Sequence, residues 1–224
     1  MKGVIKKISS DPLGLIGLCL VTLMVISALG APIFAPYDPI QLNIMERLQG
    51  PSVNHLLGTD QLGRDLFSRV LFGGQVALKV AFLTIGLALI VGIVLGLIAG
   101  YGPAWLDNSI MLLFDTIRSV PTIMLALAAV TVVGPSITTV IFVVAVSSIP
   151  NYGRIVRTQT LTLKSKDFVK AEKLMGASLL RILSIHLLPN ILGPLLILAS
   201  MDIPTVIALE AGLSFLGMGV KPPT

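Results

Sequence analysis

Charge is scarce in this sequence. Of 224 residues, 12% are Asp, Glu, Lys or Arg, about half the ~25% of an ordinary soluble domain. That deficit argues against a water-soluble globule. With 54% hydrophobic residues and a mean hydropathy of +0.95, the composition is that of an integral membrane protein. Cysteine is nearly missing: Cys19 stands alone, which excludes an intrachain disulfide and a cysteine metal cluster. Histidine occurs twice, as His55 and His186, outside the apolar runs and on opposite sides of them, so neither a metal cluster nor a Ser–His pair can be built inside the membrane. An intramembrane enzyme is disfavoured. No G-x4-G-K-[ST] stretch is present, so the chain has no P-loop for ATP. The net charge of +5 does not require nucleic acid, because the basic residues cluster where membrane orientation uses them.

The apolar runs are long. A bilayer core of roughly 30 Å takes about 20 helical residues. Uncharged stretches predict a first span over Leu13–Ala35, a second over Val80–Tyr101, a third over about Asn108–Val133, a fourth over Ile137 to about Pro150 and a fifth over about Leu187–Leu209. Gly134-Pro135-Ser136 separates the third from the fourth. Pro189, Pro194 and Pro204 predict a bent or broken fifth span. Lys2, Lys6 and Lys7, with Ala28-Leu29-Gly30 downstream, imitate a signal peptide. The run is longer than the usual h-region of about 7–15 residues, which favours an uncleaved span.

Lys and Arg orient these spans. Segment 151–186 holds Arg154, Arg157, Lys164, Lys166, Lys170, Lys173 and Arg181 against Asp167 and Glu172, and is expected in the cytoplasm. Counting back through four spans puts the N-terminus inside too. The expected organisation is a cytoplasmic 1–12, a first transmembrane helix 13–35, an external segment 36–75, and a core 76–224 containing the cytoplasmic loop 151–186. Five spans leave the C-terminal Lys221-Pro-Pro-Thr224 outside, as the start of a loop.

Within the external segment, GTDQLGRDLFSR (58–69) reads as an amphipathic helix at the membrane surface. Thr59 or Asp60 would cap it, with i,i+4 pairs Asp60/Arg64 and Asp65/Arg69. In the second span, Gly92, Gly96 and Gly100 recur every four residues, extended by Ala88 and Thr84. They form a groove for a closely packed helix, from this chain or from another subunit. Asp115 and Arg118, three apart, are expected to neutralise each other. Asp202 and Glu210 lie in the fifth span with no cation nearby in sequence, which makes them candidates for a translocation path. On residues alone, an ion-coupled secondary transporter using Asp202, Glu210 or Asp115 is an open alternative, and a non-transporting membrane protein a weaker one.

Four stretches, GTDQLGRDLFSR, NYGRIVR (151–157), GAS…HLLPN (176–190) and EAGLSFLGMGVKPP (210–223), follow one another in an order that resembles permease subunits of binding-protein-dependent ABC importers for dipeptides, oligopeptides and nickel, the DppC/OppC-like family. The likeness covers essentially the whole chain. It implies an all-α polytopic helical bundle with the ABC importer permease (MetI-like) fold. It also implies six spans, of which the sixth is not in this chain, and a place in the bacterial cytoplasmic membrane. Implied partners are a second permease, two ATPase subunits that bind ATP-Mg, an external substrate-binding protein and membrane lipid. No cofactor in this chain and no nucleic acid are implied. The family's cytoplasmic coupling motif aligns on Lys170-Ala171-Glu172, with Gly176 as its glycine. Here lysine stands where the family usually has glutamate, and Glu172 where it has alanine.

DFVKAEKLMGAS (167–178) would then be the helix by which a soluble motor moves the spans. On a wheel of about 100° per residue, Phe168, Ala171 and Met175 make one stripe, Lys166, Lys170 and Lys173 lie opposite, and Glu172 falls about 40° from Phe168. Docking of that stripe would partly desolvate Glu172, which predicts a cation facing it on the ATPase.

Overall fold

The computed structural model describes residues 11–217. They are helical apart from loops and one isolated Thr59–Asp65 bridge. The chain divides into two compact units between Lys79 and Val80.

In the first unit, helix α1 (Pro12–Leu29) starts where Pro12 occupies the first turn and the Asp11 carboxylate accepts the Leu13 amide at 3.2 Å. Its apolar side chains point outward all round, with only Ala28 buried, as in a helix whose solvent is lipid. The predicted first span reached Ala35. The helix instead stops at Gly30 and resumes as the single turn α2 (Ala31–Phe34). Pro32 has no amide hydrogen to donate to Ala28, so the ladder cannot run through.

The predicted surface helix over 58–69 does not form. Gly58 and Gly63 adopt φ of +78° and +73°, and a side chain at Gly63 would collide with the Asn43 carbonyl. Two left-handed residues stop a helix here. Asp60 folds a tight turn, accepting the Leu62 and Arg64 amides at 2.8 and 3.0 Å. Its pair with Arg64 exists, at 2.8 Å, but across a turn. The Arg69 guanidinium bonds to Asp60 at 2.6 Å. The N-cap is neither Thr59 nor Asp60 but Asp65, which accepts the Ser68 amide at 2.7 Å. Helix α3 (Leu66–Tyr101) begins there and contains the predicted second span within its 36 residues.

In the second unit, the predicted third span is two helices, α4 (Ala104–Arg118) and α5 (Thr122–Val133), bent by 79°. Pro121 supplies the break. Gly134, at φ +96°, ends α5, and Ser136 caps α6 (Ile137–Lys164) by accepting the Thr139 amide, so the expected Gly-Pro-Ser punctuation is there. The expected end at Pro150 is not. Pro150 lies buried inside a 28-residue helix that carries Asn151–Lys164 as helix rather than loop. After the short helix α7 (Asp167–Leu174), the chain enters α8 (Leu179–Arg181), a π-helical turn (Ile182–Leu187) and α9 (Leu188–Phe215). Pro194 and Pro204 sit inside α9 without ending it. The fifth span is therefore longer than predicted and unbroken. Its irregularity is the π turn ahead of Pro189, where a widened ladder accommodates a ring that would otherwise strike a carbonyl. Among the described residues, four helices are long and apolar enough to cross a membrane, and the bent α4–α5 pair passes the same test only when its two halves are taken together as one span.

Candidate coupling helix and translocation cavity

The glycine groove meets a helix of its own chain. A side-chain carbon at Gly92 or Gly100 would stand 2.7 Å from Cβ of Tyr152 or Thr160, and one at Gly96 would stand 2.5 Å from the Gly153 carbonyl. Helix α6 fills the groove at backbone distance, and Thr84 and Ala88 at its upper end are fully buried. On the far side of α6, Gly153 leaves room for the Phe114 ring of α4. One residue thus lets α6 lie between two helices. Sequence reasoning missed Gly153, because a lone glycine beside Tyr152 shows no periodicity.

Charge pairs fix α4 to the same helix. Arg157 grips Asp107 with two parallel bonds of 2.5 and 2.6 Å, the bidentate geometry of a strong pair. The expected Asp115–Arg118 pair is replaced: Asp115 bonds to Arg154, and Arg118 to the amide oxygen of Asn151. Arg154 and Arg157 thus have helix partners besides their part in the positive cluster. Their match to Asp107 and Asp115 is tertiary and has no local signature.

The inner faces of α4, α5, α6 and α9 enclose a cavity of about 310 Å³. Asp202 lines it, as expected of a path residue, beside Arg118, Asn151, Ser147, Ser148 and Thr205. The Tyr152 hydroxyl donates to Asp202 Oδ2 at 2.7 Å. Ser147 and Ser148 donate to the Val143 and Val144 carbonyls, so both hydroxyls keep the capacity to accept a hydrogen bond. Glu210 is not among the lining residues and accepts from Ser214 at 2.7 Å. The two candidate acids therefore have different surroundings.

Helix α7 is short and firmly ended. Met175 is its C-cap, and Gly176 follows at φ +81°. The Gly176 amide bonds to the Lys173 carbonyl and the Ala177 amide to the Glu172 carbonyl, the paired bonds of a Schellman motif. Gly176 is thus required by backbone conformation, since nothing lies near its missing side chain. Asp167 in the first turn and Lys173 in the last match the helix dipole. Val169 is the buried contact of α7, which rests on the π turn and the end of α6. Phe168, Ala171 and Met175 are exposed, together with Leu174 at 89%.

Glu172 is half-buried, and a ring nitrogen of its own chain lies beside it: His186 Nε2 of the π turn is 3.5 Å from Oε1. Lys170 turns to Asp167 at 3.3 Å. The separation of fourteen positions between Glu172 and His186 hides this pair from a wheel drawn on one helix.

In the first unit, His55 is buried between Asp65, at 2.9 Å from Nδ1, and Glu46, at 3.3 Å from Nε2, with Tyr37 against its ring. The Asp65 bond lifts the His55 pKa above its ordinary value, against burial, which alone would lower it. For Asp65 burial works upward, but the Ser68 amide and His55 outweigh it and hold the carboxyl low. Among the described residues, no group of three His, Cys, Asp or Glu is placed to hold a metal ion.

Residues 92–224 match the family described as binding-protein-dependent transport system inner membrane component, and residues 1–51 match the N-terminal TM domain of oligopeptide transport permease C. The chain is 38% identical to a dipeptide transport system permease protein of Alkalihalophilus pseudofirmus, over 97% of this chain and 72% of that protein. It is 39% identical to a di/tripeptide transport system permease protein of Pseudomonas aeruginosa, over 93% and 71% respectively. It is also 39% identical to a glutathione transport system permease protein of Pectobacterium atrosepticum, over 91% and 68%. The fold is similar to a chain in inward-facing structures of the MetNI methionine ABC transporter, with a TM-score of 0.56 at 21% identity, covering 65% of this chain and 73% of that one.

Proposed function

Because this chain belongs to the family of binding-protein-dependent transport system inner membrane components, we propose that it forms one half of the translocation path of an ATP-driven importer of di- or oligopeptides. Short peptides are carried over as the cargo from the relatives named for dipeptide, di/tripeptide and glutathione transport. A second permease would supply the other half, two ATPase subunits the motor, and an external binding protein the delivery. The family assignment sets aside the ion-coupled alternative.

The observation that carries this reading is the exposed apolar stripe Phe168, Ala171 and Met175 on a helix whose end is locked by Gly176. A chain without a nucleotide-binding motif has to receive the work of ATP hydrolysis through a contact. Helix α7 rests on the π turn, the π turn opens α9, and α9 carries Asp202 to the cavity. Movement at the stripe thus has a short route of packed backbone to the path, as alternating access requires. In this reading the N-terminus and α7 are cytoplasmic and 37–65 is external. The basic residues Arg154 to Lys164 then belong to the cytoplasmic end of α6.

The test is uptake of a radiolabelled dipeptide into proteoliposomes containing this chain, its partner permease, the ATPases and the binding protein. Uptake that requires ATP on the ATPase side and the binding protein on the other supports the reading. Uptake that follows an imposed proton or sodium gradient without ATP overturns it.

A further inference from the structure

The cavity holds one cation and one anion that do not pair with each other. Arg118 and Asp202 are the two charged residues of its lining. Among the described residues neither joins an ion pair: Arg118 bonds to the neutral Asn151 amide and Asp202 to the neutral Tyr152 hydroxyl. The neighbouring charges of α4 and α6 behave differently, since Asp107 is taken by Arg157 and Asp115 by Arg154. Asp202 is half-buried and Arg118 exposed, and an acid within a span is normally met by a partner or a cargo. Here two opposite charges are held by neutral donors and acceptors, which orient them without neutralising them.

We propose that this cavity is a transit site that reads the two charged termini of a free peptide, the Arg118 guanidinium taking the α-carboxylate and the Asp202 carboxylate taking the α-ammonium. The proposal rests on the peptide-importer reading and adds to it that the permease itself, and not only the binding protein, selects a zwitterion. A guanidinium presents paired N–H donors that match a carboxylate. The Tyr152 bond occupies Oδ2 of Asp202, and Oδ1 accepts no hydrogen bond among the described residues. The hydroxyls of Ser147 and Ser148, which line the cavity, add acceptors for ammonium or amide hydrogens. At about 310 Å³, the space lies at the lower end of ligand pockets, roughly 300–1,000 Å³. With one charge of each sign, it can hold a neutral zwitterion with both ends compensated.

The experiment uses the complete transporter in proteoliposomes, with dialanine, its C-terminal amide and its N-acetyl derivative as cargo. Uptake is divided by the ATP hydrolysed. Each variant is compared with wild type using the same binding protein, so the selectivity of delivery cancels. Arg118→Gln should cut the preference for dialanine over the amide by roughly tenfold, and Asp202→Asn the preference over the N-acetyl form by a similar factor, as expected for losing one charged hydrogen bond. Asp202→Glu and Arg118→Lys should restore most of each preference. Preferences unchanged within twofold in both neutral variants would overturn the proposal. So would a parallel loss of uptake and ATP hydrolysis for all cargoes, which marks a structural role. If wild type moves no dipeptide while its ATPase is stimulated, the importer reading itself fails and takes the transit site with it. If wild type moves dialanine and the variants keep its preferences, the transit site alone fails.

Discussion

The Tyr152 hydroxyl of α6 donates a 2.7 Å hydrogen bond to the Asp202 carboxylate of α9, fifty residues later in the chain. The ring of Tyr152 is fully buried, so one side chain both fills the core beneath the cavity and aims the acid that lines it. Tyr152→Phe keeps the ring and removes the donor. It should lower the stability of the assembled transporter by about 1–3 kcal/mol, read as a lower thermal midpoint. It should also impair uptake more than Phe114→Leu, which changes core packing without touching Asp202. Equal uptake in wild type and Tyr152→Phe would remove the bond from the account.

The glycine groove predicts a contrast within one helix. Gly96→Ala places a carbon 2.5 Å from the Gly153 carbonyl and 2.6 Å from Val156, so α3 and α6 must part, at about 1–3 kcal/mol. Gly86→Ala, in the same helix with nothing within 4 Å, should be neutral or stabilising by up to about 1 kcal/mol. Detergent-resistance midpoints of the two variants decide this, and similar values would show that the groove is not close-packed.

The His55–Asp65 pair predicts a pH dependence outside the membrane. The His55 pKa is raised in the folded state, so its contribution is full below about pH 6.5, the unfolded value. It fades as pH rises through the folded value. The Asp65 pKa is lowered, so its contribution is present above the unfolded carboxylate range and is lost on acidification through the folded value. Protection of the 55–68 amides, corrected for intrinsic exchange, should therefore decline from pH 6 to pH 8.5 in wild type. The decline should flatten in His55→Gln. A wild-type profile flat over that range would contradict the pairing.

Orientation is tested by labelling in a Cys19→Ser background. Ser52 and Ser165 are both exposed. An impermeant maleimide added outside intact cells should modify Ser52→Cys and spare Ser165→Cys. The reverse pattern would invert the topology.

The division between what was legible in the sequence and what was not follows the range of the forces involved. Uncharged runs revealed the spans, because burial in lipid is a property of each residue. Gly134-Pro135-Ser136 marked a real boundary through local backbone rules. Gly92, Gly96 and Gly100 announced a close approach without naming α6. Prolines misled in both directions. Pro150 lies inside a helix because packing on both faces of α6 holds it, whereas Pro32 and Pro121 interrupt theirs. The pairs Asp107–Arg157, Asp115–Arg154, Glu172–His186 and Tyr152–Asp202 join residues 14 to 50 positions apart, and no window of a dozen residues contains them. At α7 the exposed stripe was legible as helix periodicity. The buried Val169 beside it was not, because only the fold shows which side of so short a helix faces inward.

The central claim is that a separate ATPase subunit moves this chain through α7, and co-purification of the ATPase with α7 variants tests it most directly. Phe168→Asp and Met175→Asp put charge on the exposed stripe and should each reduce retained ATPase at least tenfold, while the permease pair stays intact by size exclusion. Lys170→Ala, on the opposite face, should retain it. Full retention in both stripe variants, or loss in Lys170→Ala alone, would show that α7 is not docked by this face and would contradict the account.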